Sequence, residues 1–438
     1  MIAIGLDIGT TTVSAVAIRE DGRVLAARTL KNDAALPRAA VWERIQDPKR
    51  ILALAHGAVT ELLELYPDAA SLGVTGQMHG IVYLDAGGNP VSPLYTWQDG
   101  RGNLTGAGGC TYVQHLSQLT GYPMATGFGL ATHYYQVRNG LVPKEAVTFC
   151  TIADYAAMAL ADNLTPLLDA SNAASLGLFS LEEGCFDCAA LKKAGLDASM
   201  LPALTDKPWL GTGPLGLPVS VAIGDNQASY LGAAPGSTSH ILVNVGTGSQ
   251  FSARISRLTS CPGLEHRPFP LGGYLLVGAS LCGGRSYALL EQFFRQTAEM
   301  VTGTRIVSCY DAMEKLLDAG AETDDLPTVH TVFQGTRENP SLRGSIQGLS
   351  VDNLMPRNLT LGFLHGMTDE LYGMYARYRD AAGQTGVSTL IGSGNGLRRN
   401  PHLRRIIAQR FGLPLELSQN EEEAACGAAL FALTRFGH

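Results

Sequence analysis

Ile4-Gly5-Leu6-Asp7-Ile8-Gly9-Thr10-Thr11-Thr12 returns later in the chain as Ile241-Leu242-Val243-Asn244-Val245-Gly246-Thr247-Gly248-Ser249. Asp7 matches Asn244, Gly9 matches Gly246, Thr10 matches Thr247 and Thr12 matches Ser249, all at one constant offset. Self-similarity at a fixed offset marks a duplicated unit, here at the scale of a domain. Each copy reads as an apolar strand, a turn of small polar residues and a second strand-like run. Asp21-Gly22 then supplies a hairpin signal, so the Thr-rich loop joins two strands and does not open a helix. Such a loop can turn backbone N–H groups inward and cradle phosphate oxygens without a lysine. Without a ligand it is an ordinary polar turn.

The rest of the composition suits that frame. The chain has 438 residues, 45 % of them apolar and only 16 % charged, which implies two or three globular domains. Lys and Arg total 32 against 39 Asp and Glu, a net charge of −7. That balance lacks the broad positive field of a nucleic-acid or anionic-membrane binder. No apolar run is long enough for a spanning helix, and Met1–Gly5 leads into Asp7 without the basic and apolar regions of a signal peptide. A cytoplasmic location is the expectation. The eight cysteines are scattered and read as free thiols. Cys185-Phe186-Asp187-Cys188 is the one close pair, and it lacks the second ligand pair of a zinc site.

Pro48 opens a helix expected over roughly 48–65, and strands are expected at 71–75 and 80–84. The Gly- and Pro-rich stretch 211–218 reads as a linker, which sets two domains at 1–222 and 223–438. No lysine follows a glycine, so no P-loop is present. Gly211-Thr212-Gly213-Pro214-Leu215-Gly216 has dinucleotide-loop spacing but fails on context, because a strand and not a helix follows. Two further glycine pairs open helices: Gly283-Gly284, and Gly392-Ser393-Gly394-Asn395 ahead of an Asn400-Pro401 start signal. For chemistry, a strand delivers Asp225, Asn226 and Gln227, where the acid is either a proton acceptor or a helix-capping residue. Gln77, Met78 and His79, with Asp99 downstream, offer amide, imidazole and carboxylate groups suited to a polyhydroxylated ligand. His79 alone reads more readily as a structural histidine, and its flanking glycines and Gln77 narrow that preference without reversing it. Asp7, at a strand end, is placed to orient Mg²⁺ through water.

Taken together, Asp7–Thr12, Gly76-Gln77-Met78-His79-Gly80, Gly224–Gln227, Gly246–Ser249 and Gly392–Gly394 resemble the FGGY family of carbohydrate kinases, in that family's order and over nearly the whole chain. The resemblance implies an α/β architecture, the actin-like ATPase (ribonuclease H-like) fold, with two duplicated lobes around a central cleft. It implies ATP and Mg²⁺ as partners and a ketose as acceptor. Asp225 would be the catalytic base and Asp7 the metal-side acid. Thr10, Thr11, Thr12, Gly246 and Thr247 would meet the phosphates, and Gly283, Gly284, Gly392, Ser393, Gly394 and Asn395 the adenosine. Met78 and His79 would contact the sugar, with Gln77, Asp99, Asn226 and Gln227 as extensions of that set. Trp97–Arg101, Ala125–Gly129, Asn172–Ser175 and Ser280–Gly284 resemble most the family members that act on sedoheptulose, with D-xylulose and D-ribulose as alternatives. A different class, an actin-like or chaperone-like ATPase, shares the phosphate loops without a sugar site. A homodimer is left open.

Overall fold

The computed structural model describes every residue except 107, 236–238, 320–324, 337–338, 340, 384–385 and 437–438. Its contacts divide the chain into two units, Met1–Gly236 with Arg267–Gly273 and Asn420–His438, and Ser237–His266 with Tyr274–Gln419.

In the first unit, β1 (Ile2–Ile8) runs antiparallel to β2 (Thr12–Arg19), which runs antiparallel to β3 (Val24–Lys31). The turn between β2 and β3 falls on Asp21-Gly22, with Gly22 at φ 82°. On its other side β1 pairs in parallel with β4 (Ser71–Gly76), in a register that sets Asp7 beside Thr75. The expected helix is Pro48–Leu65. The Asp47 side chain accepts from the N–H groups of Lys49 and Arg50, and Pro48 stands in the first turn where no N–H is needed. Ile51, Ala55, Val59 and Leu62 recur at helical spacing on its buried face against β2.

The stretch 211–218 is not a linker. It turns an antiparallel hairpin between β5 (Trp209–Thr212) and β6 (Pro218–Ser220), and β6 joins the sheet in parallel to β4. Glycine and proline mark a turn either way; what decides is that Gly213 lies flush on the backbone, where a Cβ would sit 1.8 Å from the Leu160 carbonyl oxygen. The first unit therefore continues past 222, through β7 (Ile223–Gly224), also parallel to β4, and the helix Asp225–Ala233. Asp225 accordingly lies in the first unit and not in the second.

The second unit repeats the plan. Its first strand, β8 (His240–Val245), is antiparallel to β9 (Ser249–Ile255), and β9 to β10 (Tyr274–Ser280). On its far side β8 pairs in parallel with β11 (Thr389–Ser393), and β11 with β12 (Leu415–Leu417). The order β10-β9-β8-β11 reproduces β3-β2-β1-β4, with Asp7 and Asn244 each one residue short of a strand end. The helix Pro356–Ala382 crosses this sheet and buries Leu364, Leu371 and Met374 in one core with Phe251 and Leu276.

The last helix, Glu423–Phe436, returns to the first unit and lies on β1 and β4 at backbone distance. A Cβ on Gly5 would fall 1.9 Å from the Ala425 carbonyl oxygen, and one on Gly73 1.9 Å from that of Ala428. The same helix meets the helix Asp225–Ala233 through Gly427 and Gly232, whose added Cβ atoms would fall 1.7 Å from Ala228 O and 1.9 Å from Glu423 O. Among the described residues no helix is long and apolar enough to cross a membrane.

These contacts set opposite expectations for two glycines. Gly73→Ala forces the last helix off the sheet, an overpacking cost of about 1–3 kcal/mol or more. Gly57→Ala, inside the helix Pro48–Leu65 with nothing within 4 Å of the new methyl, stabilises by roughly 0.5–1 kcal/mol. Urea unfolding of the two variants beside the parent checks both signs.

Candidate active site

Three carboxylates come together in the first unit from positions far apart in sequence. Asp7 lies one residue short of the end of β1, Asp225 is the first residue of its helix, and Glu422 directly precedes the last helix. Burial, then repulsion from Asp225 and Glu422, raises the Asp7 pKa from 3.8 to about 7. Burial also raises that of Asp225, opposed by the hydrogen bond from Asn226 Nδ2 to its Oδ1 at 2.6 Å and by the charge of Arg267. Gly224, not Asp225, is the N-cap, and Asp225 stands in the first turn, where its carboxylate also accepts from the Asn226 N–H. Asp225 therefore serves the start of this helix as well as facing the site.

Around Asp225 the expected sugar-side residues divide. Met78 and Gln227 close over Gly224, where a Cβ would lie 2.9 Å from Met78 Cε and 2.4 Å from Gln227 Oε1. Gln227 is fully buried; its Nε2 donates to the Pro268 carbonyl at 2.9 Å, and its Oε1 has no hydrogen-bond partner. His79 takes a left-handed backbone, φ 72°, and its ring stacks on Phe128 at 4.6 Å and 3°. Its Nδ1 lies 2.7 Å from the Ser175 carbonyl oxygen. A carbonyl only accepts, so Nδ1 carries the proton, and in the neutral ring Nε2 is the acceptor.

Gln77 belongs to a network with the first loop. Its Nε2 donates to Gln46 Oε1 at 3.0 Å, Gln46 Nε2 donates to Thr10 O at 2.9 Å, and Trp97 Nε1 donates to Thr10 Oγ1 at 3.0 Å. Thr11 and Thr12 remain exposed beside it. Asp99 is corrected. It is fully buried, its oxygens accept from Arg101 Nε at 2.6 Å and Nη2 at 3.1 Å, and Oδ2 also accepts from Arg44 N–H. Arg101 in turn lies over the Tyr95 ring at 4.0 Å. A carboxylate so committed locks its loop and has no face for a sugar.

The second unit holds a cavity of about 970 Å³. Gly246, Thr247, Gly284, Gly394 and Asn395 line it, joined by Asn244, Arg285, Arg399, Asp311, Glu314 and the stacked rings of Tyr287 and Tyr310, 5.9 Å apart. Gly283, Gly392 and Ser393 stand behind the wall. A Cβ on Gly283 would strike Gly248, one on Gly392 would press Leu415 and Leu397, and Ser393 Oγ accepts from Asn244 Nδ2 at 2.6 Å. The wall is backbone on backbone: a Cβ on Gly284 would lie 2.3 Å from Gly246 O, and one on Gly394, at φ 82°, 2.6 Å from Val245 O. The N–H groups of Gly284 and Arg285 donate to Gly246 O and Thr247 O, both at 3.0 Å. They hold the loop's shape and are not available to a ligand. Arg285 follows the Gly283-Gly284 pair directly, a signal within reach of the sequence; Tyr310 and Arg399 carried none.

This fold and these loops define a sugar kinase of the actin-like ATPase class. The family model "FGGY family of carbohydrate kinases, N-terminal domain" matches residues 2–232, and its C-terminal counterpart matches 242–435. The chain belongs to this family, and it is an ATP-dependent carbohydrate kinase. It is similar to the sedoheptulokinases of Mus musculus and Homo sapiens, each 29 % identical, over 99 % of this chain and 98 % of each relative. The xylulose kinase of Escherichia coli is 25 % identical over 98 % of this chain and 89 % of its own length. Among solved structures, a xylulose kinase from Rhodospirillum rubrum has the same fold with a TM-score of 0.84 at 21 % identity, covering 100 % of this chain and 90 % of that one.

The acid cluster has a measurable signature. With a pKa near 7, Asp7 keeps in the folded state a proton that the unfolded chain has lost above about pH 4. Stability of the ligand-free protein therefore falls as pH rises from about 4 to about 7 and levels off beyond. Asp7→Asn reduces that fall, the remainder belonging to Asp154, which burial likewise raises to about 7, and to Asp225, which burial also raises. Denaturant unfolding across that pH range reads the slope; an unaltered slope in Asp7→Asn contradicts the cluster.

Proposed function

We propose that the chain transfers the γ-phosphoryl group of ATP to a hydroxyl of a ketose, sedoheptulose before D-xylulose or D-ribulose, with Asp225 as the general base. The observation that carries this reading is the setting of Asp225. Its pKa is lifted by burial, and Gln227 beside it holds a buried acceptor without a partner. A base of raised pKa accepts a proton at neutral pH more readily than an ordinary carboxylate. An unpaired buried oxygen suits a ligand that brings hydroxyl donors.

Met78, His79, Asn226 and Gln227 form the sugar-contacting set, with His79 Nε2 accepting from one hydroxyl. Gln77 keeps its loop in register with Thr10 and so acts behind that set. The cavity of the second unit suits the nucleotide, where Tyr287 and Tyr310 offer ring faces and Gly284, Gly394 and Asn395 let a flat base approach the backbone. Thr10, Thr11, Thr12, Gly246 and Thr247 are the phosphate-side residues, supported by the matched position of their loops in the two halves. Asp7 is the residue for Mg²⁺. Its oxygens are hard donors, and a dication would offset the burial and the repulsion from Asp225 and Glu422 that raise the Asp7 pKa. Among the described residues no three His, Cys, Asp or Glu side chains form a closed metal site, so one or two carboxylates would share the ion with water and phosphate. Bound there, the ion neutralises charge on the phosphates. Transfer then needs little covalent help from the protein: Asp225 takes the hydroxyl proton while the attacking oxygen is held in line.

The preference for sedoheptulose rests on the two sedoheptulokinases that match this chain end to end. ADP release from Mg-ATP with sedoheptulose, D-xylulose, D-ribulose and glycerol, against a sugar-free blank, tests it. The expected result is a low blank and the highest kcat/KM with sedoheptulose; a pentulose in first place overturns the sugar and leaves the chemistry. Asp225→Asn is expected to lower kcat by about 10²–10⁴-fold. Near-normal turnover in that variant removes the base assignment.

A further inference from the structure

Three side chains of one short helix, Ala170–Ser175, reach both parts of the sugar site in the first unit. Ser171 Oγ accepts from the Gly224 N–H at 3.0 Å, one peptide ahead of Asp225. Its own proton goes to the Asp169 carboxylate, so the hydroxyl is turned with a lone pair toward Gly224. Asn172 Nδ2 reaches the Ala222 carbonyl at 3.4 Å and Asp154 Oδ1 at 3.0 Å; Asp154 is anchored by the Thr151 hydroxyl at 2.6 Å. Ser175 grips His79 twice: its Oγ accepts from the His79 N–H at 3.2 Å, and its carbonyl accepts from Nδ1. Ser171, Asn172 and Ser175 are all buried.

We infer that this helix is a positioning clamp, which fixes the base Asp225 through Ser171 and Asn172 and fixes the orientation and tautomer of His79 through Ser175. The inference rests on the reading of Asp225 and His79 given above. His79 needs such a hold because its left-handed backbone is unfavourable for a side chain with a Cβ. Asp225 needs one because β7, the strand that delivers it, is only two residues long. A helix of six residues spans about 9 Å, which makes it a rigid spacer between the groups. None of the three side chains is required to touch substrate. Ser171 and Ser175 act through different residues, so their loss appears in different kinetic constants.

The test is a pair of double-mutant cycles, read with the ketose that the screen above ranks first. Ser171→Ala is expected to lower kcat about tenfold, with the KM for ATP unmoved, the worth of one buried hydrogen bond. In an Asp225→Asn background the same change costs less than about twofold, because the residue it positions no longer works as a base. Ser175→Ala removes the hydroxyl that accepts from the His79 N–H and keeps the carbonyl on Nδ1; it is expected to raise the sugar KM about tenfold at a nearly constant kcat, and to add nothing in a His79→Ala background. An equal loss in both backgrounds of either cycle overturns the clamp and leaves these serines as general supports of the fold. If Ser171→Ala does not fold, the Ser175 cycle decides by itself on the same terms. Failure of the base reading looks different: Asp225→Asn alone then keeps its turnover, whatever the serines do.

Discussion

The close seat of the last helix on two strand glycines is the contact on which the first unit depends. Gly5 and Gly73 sit side by side in register on β1 and β4, and the carbonyls of Ala425 and Ala428 occupy the space a methyl would fill. Gly427 makes the same approach to the helix that begins with Asp225. Backbone packed on backbone leaves no side chain free to adjust, so the separation is fixed more tightly than in an ordinary helix–sheet contact. What it fixes matters for chemistry. Asp7 lies near the end of one of those strands, Asp225 opens the neighbouring helix, and Glu422 stands at the threshold of the last one. Three acids that repel one another are therefore held within range by contacts that contain no charge.

Much of this was legible in the residues, for reasons that can be named. The helix Pro48–Leu65 announces itself because Asp47, Pro48 and the spacing of Ile51, Ala55, Val59 and Leu62 all act locally. The duplication is legible because strand, turn and strand fit within nine residues. Gly211–Gly216 misled because turn-forming residues report that the chain bends and not what it bends onto; the sheet edge and the Leu160 carbonyl that make it a hairpin lie elsewhere in the sequence.

The site shows the same division. Met78 and Gln227 meet over Gly224, next to Asp225, since each follows closely on a strand end whose place is set by the topology. Asp99 illustrates the opposite case: a polar cluster in sequence suggests a binding surface, yet Asp99 and Arg101, two residues apart on one tight turn, satisfy each other. Glu422 could not be read beside Asp7 because almost the whole chain separates them. The cavity of the second unit draws Arg285, Tyr310 and Arg399 from three distant segments, and no local pattern joins those.

The pairing of Asp7 with Asn244 carries a consequence of its own. The two halves share strand order, turn and even the position of this residue, and they differ here by one group, an amide in place of a carboxylate. In the second half that amide donates to Ser393 Oγ, a bond no ionised acid could make, and so it ties β8 to β11 across the sheet. It also adds no third carboxylate to the cavity that it lines together with Asp311 and Glu314. The exchange of an oxygen for a nitrogen breaks the symmetry of the doubled scaffold: the first unit keeps at this position a carboxylate suited to a cation, and the second an amide spent on closing its own sheet.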